Sequence, residues 1–240
     1  MARPLPQRQR PEDGAVVPDL VIFDCDGVLI DSEVLAAQVH AEALARLGCR
    51  IGAADLLRRF TGVPDREMIP VIERDWGRSL PPDYEEGVKA TIAARYATDL
   101  RPIPHVRAVL DRIDRPVCVA SSSSSEKLRL GLGLTGLHDR FAPHIFSASQ
   151  VRRGKPAPDL FLFAAERMGG VAPARCLVIE DSVAGVTAAR AAGMPVVGFT
   201  GAGHCGPDHA ATLRAAGADR VVDDLRRLPA LIDPAAGLTA

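Results

Sequence analysis

Short apolar runs that alternate with helical patterns constrain the fold of this 240-residue chain more than any other feature of its sequence. The runs are almost continuously apolar, as is typical of strands buried on both faces of a sheet. Strands that alternate with helices pair in parallel, and the helices cover both faces. The sequence therefore predicts an α/β fold with a Rossmann-like, doubly wound parallel sheet. Its strands are expected at residues 20–24, 116–120, 144–147, 176–179, 195–199 and 220–222.

Residues 34–100 interrupt this alternation. They contain helical patterns separated by turn signals and no alternation typical of a strand. We expect this segment to be an α-helical cap domain inserted into the α/β core, which comprises residues 18–33 and 101–234. Residues 1–17 are rich in proline and arginine and are expected to form a disordered N-terminal tail.

Composition and charge narrow the class of function. The formal net charge of -1 offers no electrostatic argument for binding nucleic acid or a membrane surface. No apolar run approaches the length of a membrane helix, and the N-terminus lacks the apolar region of a signal peptide. We therefore expect a cytoplasmic protein whose partner is a small molecule, with neither nucleic acid nor membrane as a partner. The sequence leaves open whether it is a monomer or a homodimer.

The five cysteines are odd in number and show no spacing typical of a zinc site. His204, Cys205 and His209 are the nearest approach to one, and they could bind a metal ion. Their glycine-rich surroundings favour a surface loop instead.

Residues that can carry chemistry follow four of the predicted strands. In doubly wound sheets, ligands bind beyond the carboxyl ends of the strands, at the switch in strand order. These ends therefore predict a single site at one edge of the sheet. The residues are Asp24 and Asp26 after the first strand, Ser121, Ser122 and Ser123 after the second, Lys155 after the third, and Glu180, Asp181 and Ser182 after the fourth.

Four carboxylates in one crevice repel one another unless a cation lies among them. Mg2+ suits best, because it takes few carboxylates and keeps water and substrate phosphate in its shell. Together with Lys155, such an ion favours a phosphate group as ligand. The serine hydroxyls and the amides around Gly27 and Ser122 can donate hydrogen bonds to that phosphate.

Two mechanisms fit these residues equally well. In one, the metal ion activates a water molecule that attacks phosphorus. In the other, Asp24 attacks phosphorus and forms an aspartyl-phosphate, while Asp26 gives and takes protons. Lys155 and Ser121 would hold the transferring oxygens in either case.

Four segments of the chain resemble, in order, the four motifs of the haloacid dehalogenase superfamily. They are Asp24-Cys25-Asp26-Gly27-Val28, Val119-Ala120-Ser121, Gly154-Lys155-Pro156-Ala157-Pro158-Asp159 and Val178-Ile179-Glu180-Asp181-Ser182. The resemblance implies that Asp24 is the nucleophile, Asp26 the general acid/base, Ser121 a phosphate-binding hydroxyl and Lys155 the charge-balancing lysine. It also implies that Asp24, the backbone carbonyl of Asp26, Glu180 and Asp181 hold Mg2+.

The position and helical pattern of residues 34–100 resemble the cap of the β-phosphoglucomutase and phosphoglycolate phosphatase branch. The segment 23–33 is also similar to the opening of sugar-phosphate and 6-phosphogluconate phosphatases. The resemblance implies a Mg2+-dependent phosphatase that hydrolyses a small phosphorylated sugar, sugar acid or polyol. A phosphosugar mutase is the alternative, but Ala36 stands where the mutase has its cap histidine. A non-catalytic sensor of a phosphorylated ligand is a further alternative, which the complete set of catalytic residues disfavours.

The segment 58–63 resembles the substrate loop of the cap. Within and around it, the candidates for substrate contact are Arg59, Gly62, Val63, Arg66 and His40. Each arginine has an alternative place on a solvated helix face, and His40 could equally be a structural histidine.

Overall fold

The computed structural model of the chain describes residues 17–233, so nearly all of the predicted tail lies outside the described residues. Within residues 17–233 the chain forms six strands: β1 (Leu20–Phe23), β2 (Val117–Ser121), β3 (Ile145–Ser147), β4 (Cys176–Glu180), β5 (Val196–Phe199) and β6 (Arg220–Val222). The same residues form eleven α-helices: α1 (Glu33–Arg46), α2 (Ala53–Phe60), α3 (Asp65–Trp76), α4 (Tyr84–Asp99), α5 (Val106–Leu110), α6 (Ser125–Leu134), α7 (His138–Phe141), α8 (Asp159–Arg167), α9 (Val183–Ala191), α10 (His209–Ala215) and α11 (Leu228–Ile232).

The six strands form one parallel sheet in the order β3-β2-β1-β4-β5-β6. The predicted Rossmann-like α/β fold is therefore confirmed. The strand order reverses at β1, which lies between β2 and β4. Ligands bind beyond such a switch point, because the loops that follow the neighbouring strands diverge to opposite faces there.

Side chains of β1 show how the sheet is buried on both faces. Val21 and Phe23 pack in one apolar cluster with side chains of α5, α6, α7 and α11. Leu20 and Ile22 pack in the other cluster, with side chains of α8, α9 and α10. Successive side chains of a strand point to opposite faces, so a continuous apolar run is what a sheet covered on both faces requires.

Helices α1 to α4 lie between β1 and β2 in the chain, and we call them the insertion helices. They share an apolar cluster of their own, which includes Val39, Leu44, Leu56 and Ile72. The division of the chain into a cap at residues 34–100 and a two-part core remains a prediction.

Helix α6 differs from its expected length. The sequence predicts an end at Gly131 or Gly133, but the helix continues to Leu134. Gly131 does not end the helix; close packing favours glycine there, because a Cβ atom would lie 2.8 Å from Ile30 Cδ1. Helix α7, which is only four residues long, was not predicted from the sequence. None of the helices within residues 17–233 is both long enough and apolar enough to cross a membrane.

The central strand should carry a large share of the folding free energy. Ile22 is fully buried in β1, and Ile22→Ala should lower the free energy of unfolding by about 2–5 kcal/mol, because it removes buried methyl groups and leaves a cavity. Leu134→Ala, at a side chain that is 46% exposed, should change it by no more than about 0.5 kcal/mol. Urea denaturation of both variants measures the difference, and equal losses would contradict the assignment of β1 to the core.

Candidate active site

Lys155 joins the ends of three neighbouring strands. Its ammonium group donates hydrogen bonds to Asp24 Oδ1 at 2.6 Å, to Glu180 Oε1 at 2.6 Å and to the backbone carbonyl of Ala120 at 2.9 Å. The side chain is only 2% exposed. Lys155 itself comes from the loop between β3 and α8, so the loop after β3 reaches back over β2 and β1 to β4. Burial acts to lower the pKa of Lys155, but Asp24 and Glu180 together raise it, so the lysine stays charged.

Asp24, Glu180 and Asp181 form a buried carboxylate cluster. One oxygen from each lies within 4.8 Å of the others. Burial, reinforced by the neighbouring carboxylates, raises the pKa of Asp24 and of Asp181 well above the ordinary range, in spite of Lys155. Buried carboxylates that repel one another could together hold a metal ion, which would offset their negative charge. Hard cations such as Mg2+ prefer oxygen ligands of this kind.

Glu180 differs from the other two members of this cluster, because both of its oxygens already accept hydrogen bonds. Oε1 accepts from Lys155, and Oε2 accepts from the backbone amide and the hydroxyl of Ser182, both at 2.9 Å. Gly185 makes room for this carboxylate, since a Cβ atom there would lie 1.8 Å from Glu180 Oε1. Glu180 therefore orients Lys155 and the start of α9 whether or not it also binds an ion.

Asp26 lies in a different environment from Asp24, although only one residue separates them. Its Oδ1 accepts a hydrogen bond from the Ser32 hydroxyl and lies 3.1 Å from Lys127 Nζ, and its Oδ2 accepts one from the Ser123 hydroxyl. Burial acts to raise the pKa of Asp26, but Lys127 and the two hydroxyl groups together hold it below the usual range. Pairs of carboxyl groups whose surroundings push their pKa values apart are typical of sites that divide two chemical roles.

Sequence reasoning missed Lys127, Ser32 and the hydroxyl contact of Ser123. The chain contains only three lysines, which was a usable signal that Lys127 matters. Its place in the third position of α6 gave no indication that the side chain reaches back to the loop after β1.

The amide of Gly27 itself already donates to the carbonyl of Ile30 at 2.8 Å, and phosphate binding by the amides around Gly27 remains a prediction. The residue matters for another reason: its φ is +83°, and a Cβ atom there would lie 1.9 Å from Asp181 Oδ2. Ser121 is buried, and its hydroxyl accepts a hydrogen bond from the amide of Ser123 at 3.1 Å. Ser122 lines the cavity that opens above the carboxylates.

This cavity has a volume of about 540 Å3 and lies between the strand ends and the insertion helices. Four of the five predicted cap contacts line it, namely His40, Gly62, Val63 and Arg66. The fifth, Arg59, does not: it is exposed, forms an ion pair with Asp75 and stacks on Phe60. The prediction for Arg59 is therefore wrong, because its guanidinium group is engaged by Asp75 and Phe60 outside the cavity.

His40 is buried among partners as well as facing the cavity. Its Nδ1 lies 3.0 Å from the Tyr84 hydroxyl, and its Nε2 lies 3.5 Å from Asp65 Oδ1. These contacts give the side chain a structural role that the sequence could not distinguish from substrate binding.

The loop that follows β5 contributes a residue that the sequence assigned to the surface. The side chain of His204 is 1% exposed, and its Nε2 lies 3.1 Å from Asp181 Oδ2. His204, Cys205 and His209 each place one possible ligand atom within 4.8 Å of the others. The expectation of a plain surface loop is wrong for His204, which reaches the carboxylate cluster.

Comparisons with known proteins agree with this geometry. Residues 18–193 match the family described as haloacid dehalogenase-like hydrolase. A curated relative, the 6-phosphogluconate phosphatase of Escherichia coli K12, is 32% identical over 141 residues, which cover 58% of this chain and 64% of the relative. The match thus spans less than two thirds of that relative's length.

Two solved structures are similar over nearly their whole length. A conserved haloacid dehalogenase-like protein of unknown function from Agrobacterium tumefaciens is 42% identical, with a TM-score of 0.82, and the match covers 91% of this chain and 99% of that one. A HAD family hydrolase from Deinococcus radiodurans, solved with bound phosphate and sodium, is 35% identical with a TM-score of 0.78; the match covers 93% and 99% of the two chains.

Because the pKa of Asp181 is raised, we expect Asp181→Asn to stabilise the metal-free protein but to reduce the stabilisation that Mg2+ provides. A folded-state pKa above the unfolded value contributes stability only at low pH, and this contribution is lost as the pH rises from the unfolded pKa through the folded one. At neutral pH, Asp181→Asn should therefore raise the free energy of unfolding of the metal-free protein. Mg2+ should stabilise the wild type by about 2.7 kcal/mol at 100 times its dissociation constant, and the variant by much less.

Urea denaturation at neutral pH, with EDTA and with Mg2+, measures both effects. Asp208→Asn serves as the control, because Asp208 is exposed and should respond to Mg2+ as the wild type does. An Asp181→Asn variant that is less stable without metal, or that gains as much from Mg2+, would contradict the assignment.

Proposed function

The chain belongs to the haloacid dehalogenase-like hydrolase family, and we propose that it is a Mg2+-dependent phosphatase acting through an aspartyl-phosphate. Its substrate would be a small phosphorylated metabolite, that is, a sugar, sugar acid or polyol phosphate. The observation that supports this most is the separation of Asp24 and Asp26 into two environments, one crowded with carboxylates and one rich in hydrogen-bond donors.

In the first half of the reaction, a carboxylate oxygen of Asp24 attacks phosphorus and the bond to the leaving oxygen breaks. Asp26 gives its proton to that oxygen, so the product leaves as an alcohol. Ser121 and Lys155 stabilise the charge on the transferring oxygens. The contact of Lys155 with Asp24 favours the ionised nucleophile, although burial still holds the pKa of Asp24 above its usual range, and a bound cation would favour ionisation further.

In the second half, Asp26 takes a proton from water, and the resulting hydroxide attacks phosphorus. The bond between phosphorus and Asp24 breaks, inorganic phosphate leaves, and Asp26 again holds the proton that the next cycle needs. The low pKa of Asp26 is unfavourable for both steps. In the first half the carboxyl group must hold a proton that it can give, and in the second half it must be basic enough to take one from water. Substrate oxygens that compete for Lys127 would weaken its ion pair with Asp26 and raise the pKa of that carboxyl group toward the protonated form.

The residues that would hold Mg2+ are Asp24, Asp26 through its backbone carbonyl, Glu180 and Asp181. When bound, the ion supplies positive charge that offsets the crowded carboxylates and the phosphate. The raised pKa values of Asp24 and Asp181 support this fit, because a cation relieves the stress that burial creates.

The size and lining of the cavity support a small, polar substrate. About 540 Å3 accommodates a molecule of sugar-phosphate size, and both polar and apolar side chains of the insertion helices line it. The relative from Escherichia coli is named for activity on 6-phosphogluconate, which agrees with this class. A cytoplasmic location fits five cysteines that are all free.

Asp24→Asn tests the nucleophile. It should lower Mg2+-dependent release of phosphate from p-nitrophenyl phosphate by at least about 10³-fold, because the amide is a poor nucleophile at phosphorus. Circular dichroism checks that the variant folds. Arg59→Ala is the matched control in the chain, since Arg59 lies outside the cavity and its loss should leave the rate unchanged. Full activity of Asp24→Asn would exclude the aspartyl-phosphate and favour attack by water.

A phosphate-release screen over phosphorylated sugars, sugar acids and polyols would identify the substrate class. A product that is an isomer of the substrate, formed without free phosphate, would point to a mutase instead. Two observations oppose the mutase: Ala36 has no side chain for acid/base chemistry, and His40 is already engaged by Tyr84 and Asp65.

A further inference from the structure

Two histidines from the segment after β5 contact the same carboxylate residue, Asp181. His204 Nε2 lies 3.1 Å from Asp181 Oδ2, with both side chains almost completely buried. His209 Nε2 lies 2.6 Å from the backbone carbonyl oxygen of Asp181. The two rings pack edge to face, with centroids 5.6 Å apart. Asp181 is therefore held at its side chain and at its backbone by one short segment.

The chemistry of the acceptors determines which protons the histidines carry. A backbone carbonyl can only accept a hydrogen bond, so Nε2 of His209 must donate. A carboxylate that binds a cation is ionised and can only accept, so in the metal-bound state Nε2 of His204 donates to Asp181. In the neutral tautomer that results, Nδ1 of His204 carries a lone pair, and this buried atom has no partner among the described residues. An unpaired acceptor is better tolerated here than an unpaired N–H would be.

Close packing against Gly27 also restricts the position of the Asp181 side chain. Gly27 lies against the same oxygen, because a Cβ atom at that position would be 1.9 Å from Asp181 Oδ2 and 2.8 Å from His204 Cε1. The loop that carries His204 is itself tied down, since the amide of Gly203 donates to Asp31 Oδ1 at 3.2 Å. The carboxylate of Asp181 thus fits between a glycine backbone and a fixed imidazole.

We propose that His204 and His209 are positioning residues that fix Asp181 in the orientation in which it binds the divalent cation. The proposal rests on the proposed function, because it concerns the same metal ligand. Hydrogen bonds from outside the ligand set orient metal-binding carboxylates, and losing one such bond typically weakens metal binding 10- to 100-fold. Neither histidine contacts Asp24, Asp26 or Lys155 in any described hydrogen bond, so the effect should fall on the metal and not on phosphate transfer itself.

A soft-metal site made of His204, Cys205 and His209 is the competing interpretation of this segment. The Nε2 atoms of both histidines already contact Asp181, so such a site would have to use their Nδ1 atoms together with Cys205 Sγ. Nδ1 of His204 is buried without a partner, so Zn2+ binding that depends on Cys205 is the result that would favour this interpretation.

A matched pair of variants tests the proposal. His204→Gln keeps an N–H donor near the position of Nε2, whereas His204→Leu is of similar size and donates nothing. Calorimetric titration of the metal-free proteins with Mg2+ should give a dissociation constant 10- to 100-fold higher for His204→Leu and within about threefold of wild type for His204→Gln. KM for p-nitrophenyl phosphate at saturating Mg2+ should be nearly the same for all three proteins. Asp208→Ala, an exposed change in the same loop, is the control for loop disturbance.

The outcomes separate this proposal from the proposed function. If the wild type binds no Mg2+, the metal site itself is wrong, and both fail. If the wild type binds Mg2+ and His204→Leu binds it equally well while remaining folded, only the positioning role fails. If the wild type binds Zn2+ tightly and Cys205→Ala removes that binding, the histidines are ligands of a soft metal and the positioning role is overturned.

Discussion

The buried ammonium group of Lys155 is the interaction on which the rest of the site depends. Asp24 and Glu180 are almost inaccessible to water, and charged carboxylates in such surroundings are strongly disfavoured unless an opposite charge lies beside them. A single lysine that contacts both of them, and the carbonyl at the end of β2, offsets part of this penalty. It also fixes the spacing of β1, β2 and β4 at their carboxyl ends. Lys155 supplies one positive charge for three acidic groups. Burial and the repulsion between the carboxylates therefore still raise the pKa values of Asp24 and Asp181.

The sheet makes this arrangement possible because β1 is its switch point. Residues that directly follow β1, β2 and β4 lie side by side although they are far apart in the chain. Close approach then requires residues without side chains at two positions. Gly27 admits the carboxylate of Asp181, and Gly185 admits that of Glu180. The positions of Asp181 and Glu180 therefore depend on the two glycines, because the carboxylates occupy the space that β-carbons would otherwise fill.

The sequence alone predicted the parallel sheet and the residues at its strand ends, because both follow from local pattern. Apolar runs set the strands, and the chain position after each run placed Asp24, Ser121, Lys155 and Glu180 at one edge. Contacts that depend on where a helix or a loop folds back were not predictable in this way. Lys127 reaches Asp26 from the first turn of α6, and His204 reaches Asp181 from a glycine-rich loop. Arg59 failed for the converse reason, since its place near a cap loop says nothing about the direction of its side chain.

The contacts of Asp26 link the chemistry to the insertion helices. Ser32, whose hydroxyl donates to Asp26, directly precedes α1, and Asp31 beside it accepts a hydrogen bond from the loop that carries His204. The two residues that precede the insertion helices therefore contact both the acid/base candidate and the segment that contacts Asp181. A shift of α1 relative to the sheet would move Ser32 and so change the hydrogen bonds that set the pKa of Asp26. The position of the insertion helices and the protonation of Asp26 are thus coupled through a two-residue connection, which makes the entry to α1 as much a part of the site as the strand ends themselves.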